Sequence, residues 1–177
     1  MHPSKKSLVL INVLGGLVVL GSYALGFLTY PNAGELLWGG VPLTLRPLYT
    51  ISMFLAAGGY FAFSIYILHL NPGETRIYTQ PGYRVFNALF TGILIPSALW
   101  LPLTVLAIGQ SSQFLVWLVR LDLAVVAFAS FGLLVALLKV QPRKTLWLHR
   151  LAILGCMLFC FQTLILDAIV WAINFHL

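Results

Sequence analysis

Two carboxylic acids lie inside apolar runs of this chain, Asp122 and Asp167, and a third intramembrane charge, Arg120, sits two residues before the first of them. Asp and Glu together number only 4, so half of the chain's acids lie where charge is least welcome. On the insertion scale such a residue costs about 2.5–3.5 kcal/mol at a helix centre. Residues of this kind face the interior of a bundle and pair there. Arg120 and Asp122 are about 200° apart around a helix, so they cannot easily address the same neighbour. Arg120 is the expected partner of Asp167, because its planar fork suits a carboxylate. The trio therefore reads as a structural ion pair with one further charge, as a site for a substrate, ion or proton, or as a contact with a partner subunit.

Depth ties these charges to a tryptophan, Trp100. At a rise of about 1.5 Å per residue, Arg120 lies roughly 9 Å and Asp122 roughly 12 Å from the start of its run near Phe114. Asp167 lies roughly 12 Å from the end of the last run near Phe175, and Trp100 roughly 12 Å from the end of its run near Ile108. In the last run Cys156, Cys160, Thr163, Asp167, Trp171 and Asn174 recur at three- and four-residue steps and form one helical stripe, smaller and more polar than the rest. Trp100, Arg120, Asp122, Asp167 and Trp171 are the candidate ligand-binding residues. The run that carries Trp100 also holds Asn87, Thr91, Pro96, Ser97, Pro102 and Thr104. Pro96 deprives the Gly92 carbonyl of its helical donor, so a kink is expected, either as plain packing or as the hinge of a cavity wall.

Other reactive side chains are less specific. Cys156 and Cys160 share a helical face, but a disulfide across one turn has poor geometry, and they read as small packing residues. His69 and His149 fall at ends of apolar runs, where they serve as helix-end residues or, if brought together, as ligands to a haem or metal. His2 and His176 are near the termini. No HExxH, Walker A, GxSxG or GxGxxG pattern occurs, so the chain leans away from an enzyme, and no cofactor or metal is expected.

The elements that position these residues follow from composition. The chain is 60% hydrophobic and 8% charged, against about 25% charged in a soluble domain. A membrane-spanning helix needs about 20 apolar residues, and five stretches supply them: 8–29, 50–70, 85–108, 114–140 and 146–175. The expected fold is all-α, a single five-helix membrane bundle over residues 1–177. The run from Leu8 is too long for the apolar core of a signal peptide, about 7–15 residues, and reads as the first span. Placing the N-terminus in the cytoplasm puts Lys5, Lys6, Arg76, Arg84, Lys139, Arg143, Lys144 and Arg150 on that side and Arg46 alone on the other, the bias of the positive-inside rule. The C-terminus, Phe175-His176-Leu177, then lies outside. Lys and Arg flank the apolar runs without clustering among aromatics, so the basic balance points to anionic lipid headgroups and not to nucleic acid.

The segment from Pro31 and Asn32 to Pro42 is too apolar for a solvated loop, and Trp38 suits an interface. It reads as a stretch lying on the membrane or as a lid over the outer mouth of the bundle. Gly15, Gly16, Gly21, Ser22 and Gly26 in the first span, and Ser52, Ala56, Ala57, Gly58 and Gly59 in the second, let helices approach closely, within the chain or in a homo-oligomer. In length and number of spans the chain is similar to the translocator/tryptophan-rich sensory proteins, a likeness of architecture that carries no residue roles with it. The leading expectation is a protein that binds or transports a small or amphipathic molecule through the outer polar pocket. An accessory or assembly subunit of a larger membrane complex is the alternative, and an intramembrane lipid-acting enzyme the third. The default location is a bacterial inner membrane.

Overall fold

The computed structural model describes residues 2–30 and 33–176, so Met1, Pro31, Asn32 and Leu177 lie outside the described residues. The protein is all-helical in its long elements. Helix α1 spans Pro3–Thr29, the short α2 Ala33–Trp38, α3 Arg46–His69, α4 Gly82–Gln110, α5 Gln113–Lys139 and α6 Leu146–Asn174. Of these, α1, α3, α4, α5 and α6 are long and apolar enough to cross a membrane, with 27, 24, 29, 27 and 29 residues. Their outward surfaces fit that setting: Leu28 is 84% exposed, Phe54 76% and Phe128 75%, a display that water would penalise.

Helices α1, α3, α4 and α5 begin five, four, three and one residues before the apolar stretches that mark them, and α4 also ends two residues beyond, while α3, α5 and α6 end one residue short. Hydropathy reports only the apolar part, whereas the hydrogen-bonded ladder continues into the polar flanks. Helix α4 passes unbroken through Pro96 and Pro102. Around the bundle α1 packs on α4, α4 on α5, α5 on α6 and α6 on α3. Side chains close the circuit between α3 and α1, where the Tyr60 hydroxyl donates to Asn12 Oδ1 at 2.6 Å.

One end of the bundle carries most of the lysines and arginines. There a small antiparallel sheet, not foreseen from the sequence, joins two connections: β1 (Arg76–Ile77) pairs with β2 (Gln80–Pro81) and with β3 (Val140–Gln141), in the order β2-β1-β3. Ile77 and Val140, opposite each other in the register, are both buried. Helix ends leave carbonyls without partners, and polar side chains cover them here. The Tyr83 hydroxyl donates to Ile67 O at 2.6 Å, and the His149 ring meets Leu137 O at 2.8 Å. His69 turns instead to its own helix, at Ile65 O, so each of these histidines has a backbone partner. Lys144 and Asn71 both bond Glu74 and hold its carboxyl below the usual glutamate range, Lys144 contributing most.

Two apolar clusters fill the interior. The one towards the basic end holds Phe63, Tyr66, Phe86, Phe90, Leu133 and Cys156, with Cys160 at its edge. The other holds Tyr49, Val119, Leu123, Leu166, Trp171 and Phe175. Both cysteines are free and buried.

The tightest approach is between α3 and α6. A Cβ added at Gly59 would stand 2.2 Å from Gly155 O, and one at Gly155 would stand 2.7 Å from Gly59 Cα. Backbone meets backbone, so no flexible side chain can yield. The neighbouring Gly58 faces open space. Gly59→Ala should therefore lower stability in detergent unfolding by about 1–3 kcal/mol, the usual cost of overpacking, while Gly58→Ala leaves it nearly unchanged. Equal effects of the two substitutions would remove this contact as a determinant of the α3–α6 pairing.

Candidate functional site

The candidate residues divide into a cluster and an outlier. Helix α6 changes character at Phe161: residues Phe161–Trp171 form a π-helix, with i→i+5 bonding, before a last α-turn at Ala172–Asn174. In an α-helix residues five apart are about 140° out of line, but a π-helix stacks them. Gln162 and Asp167 are five apart, and the Gln162 amide donates to Asp167 Oδ1 at 2.7 Å. Gln162 is therefore a site residue that the α-helical stripe had left out. The sequence holds one signal for it, an amide among aliphatic residues in an apolar run. Of the other stripe members, Cys156, Cys160, Thr163 and Trp171 are buried and Asn174 is partly buried.

Across from this segment, α5 buries Asp122, whose Oδ2 has no hydrogen-bond partner. Helix α1 contributes Tyr23, within electrostatic reach of both Asp122 and Asp167. Helix α4 contributes Trp100, whose ring lies 5.9 Å from that of Tyr23 and 5.5 Å from that of Trp171. Trp100 Nε1 and Gln162 Oε1 are also buried without partners. The cluster thus draws on α1, α4, α5 and α6 and borders the level where the two apolar clusters part.

Arg120 does not join it. The expected ion pair with Asp167 is absent: among the described residues the salt bridges are Arg46–Glu35 and Lys144–Glu74. Arg120 Nη2 donates to Phe175 O at 3.3 Å, and the guanidinium stands 4.9 Å from the Trp117 ring centroid. The physical reason is local. Trp117 precedes Arg120 by three residues, hence on the same helical face, and the carbonyls at the end of α6 need donors. Asp167 meanwhile has its partner within its own helix.

The segment after α1 covers this end. The Trp171 indole donates to Leu37 O at 2.8 Å, and Val41 is buried beside Trp171 and Phe175. Gly39 has φ +55°, and a Cβ on Gly40 would strike Asn174 O, so both glycines are needed for the close seat. Arg46 bonds Glu35 at 3.0 Å and stacks over Trp38. These contacts seat the segment on the end of the bundle, as both a stretch lying on the membrane and a lid would be; Pro31 and Asn32 lie outside the described residues.

An open groove lies elsewhere. It occupies about 590 Å³ between α1 and α4, is lined by Val18, Gly21, Leu25, Gly26, Leu101 and Pro102 among others, and includes none of the five candidate residues. Its walls are apolar, as a surface against acyl chains would be, and it offers no charge with which to orient a ligand.

The Gln162–Asp167 bond can be tested directly. Gln162→Leu removes the donor from a buried carboxyl and should cost about 1–3 kcal/mol. Thr163→Val removes only the bond from Thr163 Oγ1 to Phe159 O (3.0 Å) and should cost about 0.6 kcal/mol, typical of hydrogen bonds within membranes. Equilibrium unfolding in mixed micelles measures both, and a Gln162→Leu effect no larger than that of Thr163→Val would argue against the pairing. In comparison with known proteins, no family model, no curated protein and no solved structure matches the chain.

Proposed function

We propose that the chain is a multi-pass membrane protein with its basic end in the cytoplasm, and that it binds or transports a small or amphipathic molecule through the cluster around Asp122 and Asp167. One observation carries this reading. Three buried polar atoms, Trp100 Nε1, Asp122 Oδ2 and Gln162 Oε1, have no partner beside two interior carboxyls that have no basic side chain within salt-bridge distance. Each unsatisfied group of this kind costs about 1–3 kcal/mol, so a bundle that keeps three together is prepared to receive a partner. The lid-like segment over that end supports gated access. Arg120 belongs to the rim of the site, not to its floor. The lysines and arginines at the opposite end support contact with anionic lipid headgroups.

A second reading, a subunit of a larger membrane complex or a homo-oligomer, draws on the bareness of α1. Leu8 and Gly26 are the buried residues recorded for it, and Gly16 and Gly21 face open space. Copurification of a stoichiometric partner in mild detergent would favour it, and a monodisperse monomer would oppose it.

Orientation is tested by labelling intact cells with a membrane-impermeant maleimide, after replacing the buried native cysteines. Ser112→Cys should label and Lys144→Cys should not; the reverse pattern overturns the orientation. Binding is tested by thermal unfolding of the purified protein against short alcohols, carboxylates and alkylammonium salts. At least one class should raise the midpoint of the wild type and fail to raise that of the Asp122→Asn, Asp167→Asn double variant. No shift with any class, or a shift retained by the double variant, removes the site.

A further inference from the structure

The unpartnered atoms also indicate the charge of the occupant, an inference that rests on the small-molecule reading above. We propose that the cluster takes a small organic cation, an ammonium, held by Asp122 and by Asp167 with its Gln162 partner, and walled by Tyr23, Trp100 and Trp171.

The argument begins with what is missing. The atoms without partners here are two acceptors, Asp122 Oδ2 and Gln162 Oε1, on residues only 9% and 7% exposed, and two donors, Trp100 Nε1 and, towards the rim, Arg120 Nε. Acceptors so deeply buried call for a donor, and two interior acids call for positive charge. Among the described residues no basic side chain stands within salt-bridge distance of either acid. Arg120 is bound to Phe175 O and Trp117, Arg46 to Glu35 and Trp38, and the remaining lysines and arginines belong to the far end of the bundle. A buried acid without a basic partner is neutralised by a proton or by a cation brought from outside the chain, and the walls of this cluster favour the second.

The walls narrow the class. The Trp100 ring lies between those of Tyr23, at 5.9 Å, and Trp171, at 5.5 Å, which it meets at 69°. Trp171 is in turn fixed by stacking on Phe175 at 4.4 Å. Aromatic faces carry negative charge density and attract alkylammonium groups, most strongly where water is excluded. They offer little to a hydrated metal ion, and among the described residues no set of three acid, histidine or cysteine side chains could hold one. Trp100 Nε1, a donor, is placed to bind a carboxyl oxygen or a hydroxyl of the ligand. Trp171 both walls the cluster and bonds Leu37 O, so an occupant that moves this indole also loosens the lid.

The test uses the full chain in nanodiscs of zwitterionic lipid at constant ionic strength. Tryptophan fluorescence is titrated with methylammonium, tetramethylammonium, sodium, tert-butanol and acetate. An ammonium should give a saturable signal that the others do not reproduce. Its affinity should fall at least about tenfold in Asp122→Asn and in Asp167→Asn, as when a desolvated charge contact is lost. It should fall about threefold in Trp100→Leu, as when one aromatic face is lost. Lys144→Gln, at the other end, should leave it unchanged. If the Asn variants do not fold, Trp100→Leu and competition among the probes on the wild type decide. Equal response to tert-butanol, or a response to acetate alone, overturns the cation and leaves the small-molecule reading standing. Sodium matching the ammonium ions overturns the aromatic walls. No response to any probe overturns both readings.

Discussion

In apolar surroundings every backbone N–H and C=O must find its partner within the chain. Most of this structure follows from that constraint. The five long helices satisfy their own backbones over nearly their whole length. Hydroxyls that would otherwise be stranded bond a carbonyl one turn back, as Thr104 does to Trp100 O, Ser130 to Val126 O and Thr163 to Phe159 O. Helix ends, where the ladder runs out, are where Tyr83, His149 and Arg143 place their donors. The small sheet at the basic end obeys the same rule by pairing strands that would otherwise be bare.

The π-helix of α6 departs from the common helical geometry while still meeting the constraint. Changing the bonding step from four residues to five keeps the backbone satisfied and alters which side chains stand in line. Gln162 and Asp167 come together by that change alone. The consequence reaches across the bundle. A carboxyl with a partner in its own helix has no need of Arg120, and Arg120 is left to hold the end of α6 through Phe175 O. Phe175 stacks on Trp171, and Trp171 bonds the lid-like segment, so the register of one helix bears on how that end of the protein is closed.

This chain also shows which features a sequence declares. Five apolar runs are plain in the sequence, because length and hydropathy are properties of consecutive residues. The inward placement of Asp122 and of the Cys156–Trp171 stripe was equally legible, because charge and small size are unwelcome against lipid. The partner of Asp167 was not legible. It depends on the local pitch of α6, and an α-helical reading puts Gln162 on the wrong side. The destination of Arg120 was half written, in the spacing of Trp117 and Arg120. Its other half, the Phe175 carbonyl, lies 55 residues away and needed the packing of α5 on α6. The strands at Arg76–Ile77, Gln80–Pro81 and Val140–Gln141 are too short for any periodicity to register.

The two ends of the bundle are tied in different ways. Towards the basic end, Tyr60 bonds Asn12 and three strands knit two connections together. At the opposite end, among the described residues, Tyr49 bonds Leu166 O and Arg120 bonds Phe175 O, and the segment after α1 is seated by the Trp171–Leu37 bond, by Gly39 and Gly40, by burial of Val41 and by an Arg46–Glu35 pair. Glu35 is 76% exposed in that pair, and exposed pairs contribute at most about 1 kcal/mol. Local opening draws on the least-tied parts of a structure. The incompletely satisfied cluster of Asp122, Gln162 and Trp100 lies towards this end, beside the stretch of α6 that holds the segment through Trp171, so opening of the segment and exposure of the cluster are linked through one indole.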